Sequence, residues 1–79
     1  MILPTKRLSD DRALLTVGAE VLRLLDEPKT VSRAWEDLKQ VRASSYREPL
    51  AYDWFVLALD LLYTLKAVEF ERGKLSRPR

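Results

Sequence analysis

The chain contains no cysteine and no histidine, and among its 79 residues there are only two glycines and four prolines. Lack of cysteine excludes disulfides, and lack of both residue types excludes the common zinc sites. Nucleophilic triads built on an imidazole are excluded as well: Ser44 and Ser45 have no histidine to activate them. Two glycines cannot make a glycine-rich phosphate loop. No Asp/Glu run has calcium-loop spacing. No cofactor is expected, and enzyme activity is the least favoured class of function. The longest apolar run falls well short of the ~20 residues a membrane span needs. The opening "MILPTKRLSDDR" lacks a charged leader followed by an apolar core, so it does not read as a signal peptide. The expectation is a soluble cytoplasmic protein with no membrane partner.

One sign of charge hardly dominates. Fourteen Lys and Arg face twelve Asp and Glu, a net of +2. The basic residues gather toward the ends. Lys6, Arg7, Lys74, Arg77 and Arg79, with Arg42 and Arg47 between them, are the candidate nucleic-acid contacts. As solubilising surface they need no such role. The paired carboxylates Asp10-Asp11 and Glu36-Asp37 point ~100° apart on a helix, so they do not face each other as an acid–base pair.

A chain this short makes a single domain over residues 1–79 and buries only ~60–65% of its unfolded surface. Such folds lean on disulfides, metals or partners. With disulfides and the common zinc sites excluded, a partner is the device left.

The order of elements follows from periodicity and punctuation. Residues 1–8 read as an arm, because Pro4 argues against helix. Ser9 then caps a first helix over 10–26, with Asp10 and Asp11 in its first turn. Its inner face is Leu14, Val17, Val21 and Leu25, widened by Leu15, Leu22 and Leu24. Gly18 in mid-helix costs ~1 kcal/mol against alanine, which predicts a second helix crossing there. Glu20 is placed at a solvent flank, with a buried ion pair to a partner's arginine as the sharper reading. Pro28 ends this helix and Thr30 caps a second over 31–42, whose inner face is Val31, Ala34 or Trp35, Leu38 and Val41. "LAYD" reads as a short extended segment, and Asp53 caps a third helix over 53–65, with a Tyr52–Leu57 staple. Val68, Phe70 and Leu75 then share one face of a hairpin turning at Arg72-Gly73, and residues 76–79 form a basic flexible tail. The fold class is mainly α: a winged-helix-like domain of three helices followed by a short β-hairpin, with a plain three-helix bundle as the alternative.

The third helix carries the functional reading. Within "DWFVLALDLLYTL" only Asp53, Asp60 and Thr64 break the apolar run. Phe55, Ala58, Leu59 and Leu62 point to the core; Trp54, Leu57 and Leu61 lie on one flank, Val56 and Tyr63 on the other. The helix has no Arg, Lys, Asn, Gln or Ser, the side chains that read bases and phosphates. Its surplus apolar surface is therefore predicted to dock on a protein. Trp54, Leu57, Leu61, Val56 and Tyr63 are the candidate interface residues, with Trp35 of the second helix as a further aromatic. A homodimer through the same flank, or cover by Ile2, Leu3 and Leu8 of the arm, are the competing uses of that surface.

Five stretches carry a family resemblance: "ILPTK" at 2–6, "DRALLTVGAEVLRLL" at 11–25, "TVSRAW" at 30–35, "DWFVLALDLLYTLKAV" at 53–68 and "GKL" at 73–75. With them the chain resembles the small middle components of bacterial ABC-three component systems, of the sixth type. The resemblance implies an adaptor rather than an enzyme. Such proteins are encoded beside an SMC-like ABC ATPase and a larger third component, in systems of biological conflict that include antiviral and plasmid defence. It also implies an indirect route to DNA through the assembly. The chain has Lys66 where a winged-helix turn into the wing favours glycine.

Overall fold

The computed structural model describes residues 4–78, with side chains from Arg12 to Pro78. Three helices come first in space and size: α1 (Pro4–Leu24), α2 (Val31–Ser44) and α3 (Tyr52–Thr64). A small antiparallel sheet completes the fold, from β1 (Lys29–Thr30), β2 (Glu69–Glu71) and β3 (Lys74–Ser76), in the order β1-β3-β2. The expected mainly α architecture with a hairpin after the third helix is the one observed.

Helix α1 begins at Pro4, not after Ser9. Proline is well placed in a first helical turn, where its missing N–H has no partner to lose. Residues 4–8 are thus helix rather than arm, and Asp10 and Asp11 fall outside the first turn. The cover expected from Ile2 and Leu3, and from the Leu8 side chain, lies outside the described residues. Along α1, Val17, Val21 and then Leu25 are buried as their spacing requires, while Leu15 is exposed and Leu14, Leu22 and Leu24 pack at the edge of the core. The crossing predicted at Gly18 is present. A Cβ built there would sit 3.2 Å from Leu62 Cδ2, so α3 meets α1 through a leucine side chain.

Thr30 caps α2 as expected: its hydroxyl accepts from the Arg33 N–H at 3.1 Å. The inner face of α2 is Ala34, Leu38 and Arg42. Val41 is exposed, which corrects the expected face by one residue at its end. The reason is electrostatic and is described below. Both α2 and α3 end in a Schellman motif. At α2 the Arg47 N–H reaches the Arg42 carbonyl at 2.9 Å, with Tyr46 in the left-handed region at φ 56. At α3 the Ala67 N–H reaches the Leu62 carbonyl at 2.8 Å, with Lys66 at φ 61. Lys66 therefore occupies the position that favours glycine and adopts the glycine conformation all the same.

The expected extended segment before α3 is irregular chain; the strand that joins the hairpin is instead β1, two residues long and immediately before α2. Ala51, not Asp53, is the N-cap of α3; Asp53 lies inside the first turn, where its charge still suits the helix dipole. In the hairpin, Phe70 pairs with Leu75 and Glu71 with Lys74 around Arg72 (φ 54) and Gly73 (φ 77). Two successive positive φ values make the mirror-image turn that matches strand twist. Among the described residues ten buried apolar side chains form the core, with Phe55, Leu38 and Val21 fully enclosed and Val68 and Leu75 contributed by the chain after α3. Ser76 belongs to β3, and Arg77 donates from Nε to the Leu25 carbonyl at 3.2 Å, tying the start of the expected tail to the end of α1.

Candidate functional site

The helical sum of "DWFVLALDLLYTL" is resolved much as its angles require. Phe55, Ala58 and Leu62 are buried and Leu59 is half-buried. Asp53, Asp60 and Thr64 are exposed on the opposite side. Between them lie the two flanks. On the first, Leu57 is 50% exposed, while Trp54 and Leu61 are half-buried. Trp54 lines a depression with Ala13, Thr16 and Val17 of α1 and Pro49 and Leu50 of the α2–α3 connection. On the second flank Val56 and Tyr63 are exposed. The monomer thus hides part of Trp54 and Leu61 but leaves Leu57 and Tyr63 in water. Covering such half-exposed side chains is worth about 1 kcal/mol each, half the value of full burial.

Trp35 is not a free anchor. Its ring meets Tyr52 edge-on at 5.2 Å and Phe55 at 5.1 Å, and Lys39 Nζ sits 5.3 Å from its centroid. This cluster joins α2 to the first turn of α3 and sets the rotation of α3 about its axis.

A second aromatic surface went unforeseen. Phe70 does share a face with Leu75, as the alternation predicts, but β2 is an edge strand, with no further strand beside it among the described residues. Phe70 stays 53% exposed. Tyr63, Val68, Phe70 and Pro78 line a groove of about 620 Å³ between the end of α3 and β2. The signal available in the sequence was the single hairpin itself, since a two-stranded ribbon on a small core must leave one edge bare.

The electrostatics fix the basic candidates. Glu20, expected at a solvent flank, is buried with its carboxylate against two arginines of this same chain. Oε1 accepts from Arg42 Nη1 at 2.8 Å and lies 3.1 Å from Arg47 Nη1. Arg42 also donates from Nε to the Glu48 carbonyl at 3.2 Å. This is why Arg42 replaces Val41 on the inner face, and it withdraws Arg42 from any phosphate. Arg47 remains half in solvent. Lys74 is exposed on the hairpin, and Arg77 is engaged with Leu25. The side chains of Lys6 and Arg7, and all of Arg79, lie outside the described residues. At the start of α2, Lys29 Nζ donates to Asp37 Oδ2 at 2.7 Å and Arg33 Nε to Oδ1 at 3.2 Å. The hydrogen bond from Lys29, more than the charge of Arg33, holds the Asp37 carboxyl below its ordinary pKa.

Among the described residues no cluster of three His, Cys, Asp or Glu could hold a metal ion. No helix among them is long and apolar enough to cross a membrane. Ser44 and Ser45 are exposed at the end of α2. What the arrangement offers is contact area, in two adjacent patches on α3 and β2.

The profile of the ABC-three component (ABC-3C) system Middle Component 6 family matches residues 3–78. The chain belongs to this family. No curated protein and no solved structure matches it.

Proposed function

Starting from a middle component of an ABC-three component system, we propose that this protein is a non-enzymatic adaptor, winged-helix-like in architecture, that docks on a larger protein through the outer surface of α3. The element order α-β-α-α-β-β, with the first strand joining the hairpin, supports the winged-helix reading. Leu57, with the exposed parts of Trp54 and Leu61, is the proposed contact flank; Val56 and Tyr63 form the other possible flank, and Trp35 of α2 is a further aromatic candidate. The partner is the SMC-like ABC ATPase of the same system, with a larger third component in the assembly, and the setting is cytoplasmic conflict with invading genetic elements.

The observation that carries this reading is Leu57, half in water on a helix whose only charges are aspartates. A DNA-reading winged helix would turn Asp53 and Asp60 toward phosphates, at a cost. With Arg42 committed to Glu20 and Arg77 to Leu25, direct DNA binding has the weaker support.

The test is co-expression with the neighbouring ATPase and affinity recovery of wild type, Leu57→Asp and Leu61→Asp. Leu57→Asp should lose the ATPase while remaining folded, with stability lowered by about 1 kcal/mol for the half of the side chain that is buried. Undiminished recovery by a folded Leu57→Asp protein refutes docking through this flank. Salt-sensitive DNA binding by the isolated chain would favour the nucleic-acid reading instead.

A further inference from the structure

The bare edge of β2 has a chemistry of its own. Among the described residues, sheet order β1-β3-β2 leaves one side of Glu69–Glu71 without a neighbouring strand. In a two-residue hairpin the residues flanking the turn exchange hydrogen bonds, and the next pair does not. Glu71↔Lys74 and Glu69↔Ser76 are therefore the bonded pairs, and the N–H and C=O of Phe70 point to the open side. Among the described residues neither group of Phe70 has a hydrogen-bond partner.

The side chains complete the site. Phe70 lies on the same face as Leu75, beside the groove lined by Tyr63, Val68 and Pro78. Glu69 and Glu71 alternate to the other face and are exposed. Among the described residues neither carboxylate is in an ion pair, although Lys74 stands across from Glu71. The edge is thus acidic–aromatic–acidic, beside a groove in which Tyr63, Val68, Phe70 and Pro78 supply the apolar lining and Lys66, Glu69 and Glu71 the charged part.

We infer that β2 accepts an extended segment of a protein partner by antiparallel strand addition, and that this segment carries Lys or Arg on both sides of an apolar residue. The apolar side chain enters the groove beside Tyr63 and Phe70. The two basic side chains meet Glu69 and Glu71, and the backbone of the central residue bonds to Phe70. A second copy of this chain is the wrong occupant: antiparallel self-pairing about Phe70 sets Glu69 opposite Glu71, like charge against like. The site shares Tyr63 with the second flank of α3 but none of Trp54, Leu57 and Leu61, and it rests on the adaptor reading in requiring a protein partner.

The test uses the full chain, labelled with nitrogen-15, and a synthetic peptide Gly-Lys-Ile-Lys-Gly capped at both ends. Titration to millimolar peptide should shift the Phe70 amide most, with the Tyr63 and Glu71 amides following. Methylating the peptide nitrogen of the central isoleucine keeps every charge and removes one strand hydrogen bond; it should weaken binding by roughly tenfold or more. The peptide with glutamates in place of lysines should not bind wild type, but should bind the Glu69→Lys/Glu71→Lys double variant, which no longer takes the lysine peptide. Equal binding of the methylated peptide overturns the inference, since contact is then charge alone. So does the absence of any shift at Phe70, or self-association of the chain that Phe70→Pro abolishes. Loss of ATPase recovery in Leu57→Asp with intact peptide binding leaves the two surfaces independent, so either can fail without the other.

Discussion

Replacing Glu20 by methionine should unfold much of this protein's stability margin. The Glu20 and Arg42 side chains are only 7% and 11% exposed, and their 2.8 Å contact joins residues 22 apart in sequence. Methionine fills the volume of Glu20 but leaves the Arg42 guanidinium enclosed, with only the Glu48 carbonyl as a remaining acceptor. Breaking a buried pair from one side costs about 3–5 kcal/mol. Arg47 is half in water and some hydration will reach the site, so about 2–4 kcal/mol is the reasonable expectation. A domain of this size has a total stability of roughly 4–12 kcal/mol. The expected fall in melting temperature is roughly 10–30 °C. Urea unfolding followed through Trp35 and Trp54 fluorescence measures the change directly. Glu20→Met combined with Arg42→Met should recover most of the loss, because two apolar side chains of similar length need no partner charge. A single Glu20→Met variant within about 0.5 kcal/mol of wild type would refute the reasoning, as would a double variant no better than the single.

Asp37 supplies a pH dependence. Its folded pKa is depressed by the Lys29 hydrogen bond, so its contribution to stability is present above the unfolded carboxylate pKa and is lost as pH falls through the lower folded value. Asp37→Asn should flatten that acid limb in urea midpoints taken from neutral pH downward, and an unchanged limb would exclude this origin. In the hairpin turn, Arg72 stands at φ 54 before Gly73. Arg72→Asn should therefore stabilise the protein by about 0.5–1 kcal/mol, because asparagine is the favoured first residue of this turn; a loss of stability would mean that the Arg72 side chain makes a contact of value.

Periodicity located the helix faces because helical angle is a local property: Phe55, Ala58 and Leu62 are inside for the same reason that Asp53 and Asp60 are outside. Thr30 was legible as a cap because capping involves one hydroxyl and one N–H three residues on. Arg42 was not legible. Val41 and Arg42 are adjacent, hydrophobicity favoured the valine, and the choice was decided by a carboxylate on another helix. Glu20 failed the same way, since a lone acid in an apolar stretch does not announce a counter-ion far along the chain. Helix α1 was cut short because Pro4 was weighed as a breaker, although a first turn tolerates it. β1 is two residues long and exists only because β3 passes beside it. For the candidate surface, the exposure of Leu57 and Tyr63 was readable from angles, whereas the half-burial of Trp54, which shares a depression with Ala13, Thr16 and Val17, depended on how α1 crosses α3.

The distribution of charge over the finished fold argues which kind of partner each surface suits. The outer side of α3 and the free edge of β2 are contiguous through the Tyr63–Phe70 groove. Together they display Asp53, Asp60, Glu69 and Glu71, against Lys66 alone of the groove's own lining. On the proposed winged-helix reading that part would face a duplex, and its carboxylates would oppose the phosphates. The arginines that might have reversed the sign have been spent elsewhere: Arg42 and Arg47 close on Glu20, and Arg77 holds the end of α1. These placements follow from the needs of a small core that has no disulfide to brace it. Along β2 the acidic and aromatic surface keeps its sign, although Arg72 and Lys74 stand exposed at the turn beside it. That combination suits a basic, partly apolar protein segment far better than a phosphate backbone.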